Sequence, residues 1–399
     1  MKKRWQIISI VLCMALLLGA CGQGSSHAKE ENRPEDKQTE EKKTESQAEA
    51  EEEKEEEEEV PEYQAKLDAV SPSAYHKVAG ITLEAGTYIS VIGKSASGQY
   101  WEQVKKGAEQ AAKDLNEQLG YKGKDEIKVT YSGPSEDNNV DEQVNILDEE
   151  LARYPAALSI AIADAQACDV QFDLAAENDI PVVAFDSDSD YPGLQASVST
   201  DNANTSAEAA DHLAENLGEA GKVLIFAEDS KSMSIQERIN GFTQQMKKQH
   251  TNIEVKGIYC LDQMDEMREG IAEEEDGVNP EDIPDEELIG HILEDHPEIQ
   301  GVYATDGEAL KLALSGLEKQ GLENVSVVGY DGDEEEIQAL KDGKVDGLIV
   351  QNPFGMGYAS VIASARAALF LGNEAWVNTG YKWVTQENID SDEIQEWLY

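Results

Sequence analysis

"TYISVIGKSASGQYWEQVKKGAEQAAKDLNEQL", residues 87–119, decides the fold of this chain. Its opening, Thr87–Gly93, is a short apolar run of strand length, rich in β-branched and aromatic residues. Its remainder sets Val104, Ala108, Ala111, Leu115 and Leu119 at steps of three and four. That step is the period of a helix with one buried face. A buried strand leads within a few residues into an amphipathic helix.

Working outward, the same alternation recurs. "IKVTY" (127–131) is a strand, and Val140, Val144, Leu147 and Leu151 mark a helix. "ALSIAIA" (157–163) is the next strand, a helix runs to Asn178, and "PVVAF" (181–185) follows. After "LQASVSTDN" (194–202) the pattern begins again, with a helix over 205–217 and a strand at "KVLIFA" (222–227). A helix over 235–249 and the strand "IEVKGIY" (253–259) come next. A further helix ends near Asp295, followed by "GVYAT" (301–305), a helix over 308–320 and "VSVVGY" (325–330). "GLIVQ" (347–351) and a long helix over 358–371 close the series. Strands alternating with helices predict a parallel sheet covered on both faces. Two such units in tandem predict an α/β chain of two doubly wound lobes, with the natural site at the carboxyl ends of the strands.

The N-terminus reads differently. Lys2, Lys3 and Arg4 precede a largely apolar run, Trp5–Leu18, that is too short to span a bilayer comfortably. That is the layout of a secretory signal. It ends in "LLLGACGQGSS" (16–26), where Leu18-Gly19-Ala20-Cys21 resembles the bacterial lipobox. The resemblance implies cleavage after residue 20, lipidation of Cys21 and an extracytoplasmic, membrane-tethered protein. Residues 29–59 are acidic and lack large apolar side chains, so they cannot build a core. The segment 21–80 is therefore read as a lipidated cysteine followed by a self-repelling, extended tether.

The formal charge of −50 argues against nucleic acid, because no basic patch is present to neutralise phosphates. Beyond Cys21 the tether and lobes hold only Cys168 and Cys260, which make no disulfide framework and are expected as two free, mostly buried thiols. No Cys/His cluster suggests a metal, and no G-x-S-x-G elbow, P-loop or HExxH motif suggests an enzyme. "GKSASGQ" (93–99) lacks the ending of a P-loop.

Seven stretches in order now point to one family. They are "GQYWEQVKKGAEQAA" (98–112), "NDIPVVAFDSD" (178–188), "VSTDN" (198–202), "QERINGF" (236–242), "GVYATDGEALKLALSGLEKQG" (301–321), "VSVVGYDG" (325–332) and "GLIVQNP" (347–353). From about Thr87 to Thr385 the chain resembles the type I periplasmic binding proteins, in the ribose/galactose-type branch that serves ABC importers. The resemblance implies two lobes joined by a hinge with crossovers: 81–200 with 352–378, and 201–351 with 379–399.

It also implies a set of ligand-binding residues. Tyr100 and Trp101 would sandwich a sugar ring, whose C–H faces suit an aromatic surface. Asp186 and Asp331 would accept hydroxyl hydrogen bonds at strand ends. Arg238 offers a planar fork of donors. Gln351 offers both donors and an acceptor at a crossover. Thr305 matches the position of an asparagine in ribose-type members, and Asp306, which follows it, completes the set. Ser187 replaces an arginine and Gly98 stands near the place of an asparagine, so the hydroxyl-reading set departs from that for ribose.

The expected ligand is a sugar or polyol, with no cofactor and no metal. The expected partner is an ABC permease in the membrane, with the protein a monomer. The alternative is a sensory lipoprotein presenting a sugar or quorum signal to a histidine kinase or chemoreceptor. The stretch 265–290 is longer than the corresponding family loop. Its "EEEDGVNPED" (273–282) is similar to a calcium loop but lacks the EF-hand spacing, and reads as a solvated acidic insert.

Overall fold

The computed structural model describes residues 61–274 and 278–399. The signal segment, Cys21, the acidic run 29–59 and the centre of the 265–290 stretch lie outside the described residues.

Lobe 1 begins with a short helix, α1 (Gln64–Asp68). There follow β1 (Tyr88–Ile92), α2 (Gln99–Leu119), β2 (Lys128–Ser132), α3 (Val140–Leu151), β3 (Ala157–Ile160), α4 (Asp169–Glu177), β4 (Val182–Phe185) and β5 (Ser197–Ser199). Lobe 2 comprises α5 (Asn202–Asn216), β6 (Gly221–Ala227), α6 (Met233–Gln249), β7 (Ile253–Cys260), α7 (Asp265–Glu274), α8 (Asp285–Asp295), β8 (Gly301–Ala304), α9 (Gly307–Gln320), β9 (Ser326–Tyr330), α10 (Glu334–Lys341) and β10 (Gly347–Gln351). The chain returns to lobe 1 for α11 (Pro353–Ala368) and β11 (Trp376–Asn378), then to lobe 2 for β12 (Tyr381–Val384) and α12 (Asp392–Gln395).

The two sheets share one topology, β2-β1-β3-β4-β5-β11 and β7-β6-β8-β9-β10-β12. Every pairing is parallel except β10 with β12, which runs antiparallel. The central strands β3, β4, β8 and β10 are buried along their whole length, because helices cover both faces. In lobe 1 the helices α2 and α11 cross at backbone distance. A Cβ on Gly107 would stand 2.0 Å from the Phe354 carbonyl oxygen, and one on Gly357 would stand 1.9 Å from that of Val104. Only glycine permits this approach.

Three features differ from the sequence expectation. The tether does not extend to residue 80. Leu67, Val70 and Tyr75 are buried in the core that holds Val104, Ala108 and Tyr358. The Tyr63 ring stacks on Phe354 with centroids 5.0 Å apart, and Ser71 exchanges backbone hydrogen bonds with Asn378. The folded part therefore includes residues 61–80; their few apolar side chains are spaced for docking onto lobe 1. The helix expected over 358–371 starts at Pro353, since Asn352 caps it by accepting from the Gly355 amide at 2.9 Å. The stretch 265–290 contributes two helices, and Ile283 and Leu288 are buried in the lobe 2 core. Cys168 is buried, whereas Cys260 is half-buried.

Three chain crossings join the lobes, at Thr200–Asp201, Gln351–Asn352 and Asn378–Tyr381. Asn352 binds two neighbours at once: its amide donates to the carbonyls of Lys66 at 2.6 Å and Thr379 at 2.7 Å.

Candidate functional site

The carboxyl ends of β1, β4, β6, β8, β9 and β10 face one another across the hinge. Between them lies a cavity of about 250 Å³. The lobes touch across its mouth: the Ser234 amide donates to the Ser187 hydroxyl at 3.3 Å, and the Glu334 amide donates to the Gln99 side-chain carbonyl at 3.0 Å. This is a closed arrangement.

Asp186 and Asp331 follow β4 and β9, so the matching topologies bring one aspartate from each lobe to the same cavity. Both sit in the left-handed region, with φ of 60° and 75°. Such a conformation costs a residue other than glycine roughly 1–2 kcal/mol and clusters at functional sites.

Asp186 is buried and fully partnered. Lys94 Nζ lies 3.0 Å from Oδ2, and the Tyr100 hydroxyl donates to Oδ1 at 2.7 Å. Burial pulls this carboxyl upward, but Lys94, the Tyr100 hydrogen bond and Arg238 together hold it below the usual carboxylate range. Lys94 also reaches the other lobe, donating to the Ser234 hydroxyl at 3.4 Å.

Asp331 accepts at Oδ1 from the Gln351 amide at 2.8 Å. Burial raises its pKa despite the opposing charge of Arg238. Gln351 in turn accepts from the Thr200 hydroxyl at 2.9 Å. A chain of hydrogen bonds thus runs from the cavity into the hinge.

Arg238 is buried and held by neutral oxygens: Nε donates to Asn202 Oδ1 at 2.9 Å and Nη1 to the Thr305 carbonyl at 2.8 Å. Its guanidinium carbon stands 4.0 Å above the Tyr330 ring. Hydroxyls of Thr205 and Ser206 fix that ring in turn. The hydrogen bonds among the described residues leave Nη2 unused.

Of the eight side chains expected at the site, seven line the cavity: Tyr100, Trp101, Asp186, Arg238, Asp306, Asp331 and Gln351. Thr305 is the exception. It is fully buried, and its hydroxyl donates to Asp306 Oδ2 at 2.6 Å, so it stands behind the wall. The expected sandwich also needs correction. Tyr100 and Trp101 meet edge to face, with centroids 5.1 Å apart and planes at 78°, so no ring fits between them. Adjacent helical residues diverge by about 100° around the axis. Tyr100 serves Asp186 through its hydroxyl.

Sequence reasoning missed Lys94, because "GKSASGQ" was weighed only as a phosphate loop. It also missed the acidic wall of Glu228, Asp333 and Glu336. Burial, reinforced by neighbouring carboxylates, pushes Asp333 and Glu336 up to about 7, whereas burial pushes Asp306 up to about 6 against the hydrogen bonds that it accepts from Thr305 and from the Ala309 and Glu228 amides. Asp333 Oδ1 and Glu336 Oε2 are buried without a hydrogen-bond partner. Among the described residues, no group of three or more His, Cys, Asp or Glu side chains is arranged to hold a metal ion.

The site offers carboxylate acceptors from both lobes, one free guanidinium nitrogen, amides and aromatic faces. That set suits a small neutral molecule carrying many hydroxyls.

The sequence matches the periplasmic binding protein domain family over residues 89–372. The chain belongs to that family. It is 25% identical to the ribose import binding protein of Escherichia coli over 273 residues, covering 68% of this chain and 82% of that one. It is 24% identical to the xylitol-binding protein of Mycolicibacterium smegmatis over 258 residues, covering 64% and 68%. Among solved structures it is similar to a carbohydrate transporter solute-binding protein from Agrobacterium radiobacter in complex with D-arabinose. That match has a TM-score of 0.68 and 26% identity, and covers 79% of this chain and 99% of the other. The two α/β lobes are those of a type I periplasmic binding protein.

Proposed function

We propose that this chain is an extracytoplasmic solute-binding protein that captures a monosaccharide or polyol between its lobes and delivers it to an ABC importer. The observation that carries this reading is the convergence of Asp186 and Asp331, from opposite lobes, with Arg238 on one closed polar cavity. The names of the relatives support the same role: they import ribose or bind xylitol, and the structural neighbour holds D-arabinose. No bond is made or broken. Ligand binds the closed state better than the open one and shifts the population toward it by that difference.

The permease in the membrane is the partner, and the protein acts as a monomer. Lipidation of Cys21 keeps it at the membrane surface; Leu18-Gly19-Ala20-Cys21 after a short apolar run supports this. Among the described residues no helix is long and apolar enough to cross a membrane. Cys21→Ala is expected to abolish incorporation of labelled palmitate.

The test of the binding role is calorimetry against D-ribose, D-arabinose, D-fucose, D-tagatose and xylitol, with mass spectrometry of ligand released from the purified protein. At least one sugar or polyol is expected to bind, with Asp331→Ala weakening it about tenfold or more. A protein that carries and binds no polyhydroxylated molecule refutes the proposal.

A further inference from the structure

Behind both strand-end aspartates stands Tyr399, which neither charge nor spacing marks in the sequence. Its segment is fastened to lobe 2: Ile389 and Ile394 are buried in that lobe's core, and Leu398 and Tyr399 pack against the same cluster. From there the Tyr399 hydroxyl donates to Asp331 Oδ1 at 3.3 Å. Its ring meets Tyr100 of lobe 1 edge to face, with centroids 5.9 Å apart and planes at 76°. Tyr100 then donates to Asp186. One side chain therefore touches the carboxylate of one lobe directly and that of the other through a single intermediary.

The geometry at Asp331 gives this contact a consequence. Its Oδ1 takes two donors, Gln351 and Tyr399, while no hydrogen bond among the described residues uses Oδ2. A carboxylate held by one donor can swing about its last torsion, which is broad and two-fold. Held at Oδ1 by two donors from different segments, Gln351 at the end of β10 and Tyr399 beyond α12, it keeps the second oxygen in one place. Tyr399 itself does not line the cavity, whereas Asp331 and Tyr100 both do.

We propose that Tyr399 is a specificity-determining positioning residue: it orients the Asp331 carboxylate for one ligand hydroxyl and backs the Tyr100 ring that serves Asp186. The inference rests on the sugar-binding reading. It predicts that discrimination between sugars differing at one hydroxyl depends on a residue outside the contact surface. The hydrogen bonds of Gln351 and Tyr399 also favour the ionised form of Asp331 against the effect of burial.

The test is a double-mutant cycle read by calorimetry on the full chain: the parent protein, Tyr399→Phe, Asp331→Asn and the double variant. Each is titrated with D-ribose, D-arabinose, D-fucose and D-tagatose. Tyr399→Phe keeps the ring and is expected to melt like the parent without sugar. It is expected to bind the tightest of the four about threefold to tenfold more weakly and to narrow the gap between that sugar and the next. In the Asp331→Asn background the same change is expected to have no further effect, because the group it positions is already altered. A Tyr399→Phe protein that binds all four like the parent overturns the inference. So does an equal loss with and without the Asp331 carboxylate, since that marks a packing effect. A parent that binds none of the four sugars, does not bind xylitol and carries no polyhydroxylated molecule overturns the sugar reading and this inference with it. A parent that binds while the variant is unchanged overturns this inference alone.

Discussion

Lys94 answers a charge that the fold would otherwise strand. Asp186 is taken out of water at the end of β4, and Lys94 is the cation that touches it. Removing one member of a buried pair costs about 3–5 kcal/mol, because the survivor keeps its desolvation penalty. Lys94→Met is therefore expected to lower the melting temperature and weaken ligand binding, while Asp186→Asn added to it recovers much of the stability. Thermal melts of the two variants check this; a double variant that melts no higher than Lys94→Met contradicts it. Asp333 and Glu336 behave in the opposite sense. Their folded pKa values of about 7 lie above those of unfolded carboxylates. The folded state then holds more protons than the unfolded one between the ordinary carboxylate range and about 7, so stability falls as pH rises through that window. The protein is expected to melt higher at pH 5 than at pH 8, and an Asp333→Asn, Glu336→Gln variant is expected to lose part of that difference. Seven of the eight expected site residues reach the cavity because strand ends, a helix start and a crossover are visible in sequence. The spacing of charges across the cleft is not, so Lys94, Asp333 and Glu336 went unseen.

At the scale of elements, α1 and the turn after it decide where the folded part begins. Leu67, Val70 and Tyr75 are each nearly inaccessible to solvent. Burying a side chain of that size stabilises by about 1.5–3 kcal/mol. A chain starting at Gly80 is thus expected to melt roughly 10 °C or more below one starting at Pro61. It also loses the Lys66 carbonyl, one of the two acceptors of Asn352 at the hinge. Calorimetric melts of the two truncations decide the point; equal melting temperatures would return residues 61–79 to the tether. Helices with an apolar stripe over three turns were legible, as were the four- to seven-residue apolar strands. Several shorter elements were not. The helix α1 is five residues long, β11 is three, and β12 reads Tyr-Lys-Trp-Val with no uniform apolar character. Segments this short form because a neighbouring surface receives them, and that surface is remote in sequence.

For the whole molecule, the question is how occupancy of the cavity reaches the hinge. Asp331, Gln351 and Thr200 form one hydrogen-bonded path from the site to two of the three crossings. A ligand hydroxyl held by Asp331, as proposed, would act on the crossings themselves. The radius of gyration from small-angle scattering is expected to fall when the tightest-binding sugar is added. Gln351→Leu is expected to weaken binding and to leave the scattering curve less responsive at equal saturation. A parent whose scattering does not change with saturating sugar contradicts closure as the response.

The sequence alone determined the alternation of strand and helix, the tandem repetition that makes two lobes, the strand ends that carry Asp186 and Asp331, and the acidity that argues against nucleic acid. These follow from local periodicity and composition, which act over a few residues. The tertiary structure alone decided that Lys94 pairs with Asp186, that Thr305 stands behind the wall, that residues 61–80 belong to lobe 1, and that Tyr399 backs the site. Each of these joins segments 68 to 332 residues apart, or turns on which way one side chain faces. Packing of remote surfaces sets such contacts, and no period in the sequence encodes it.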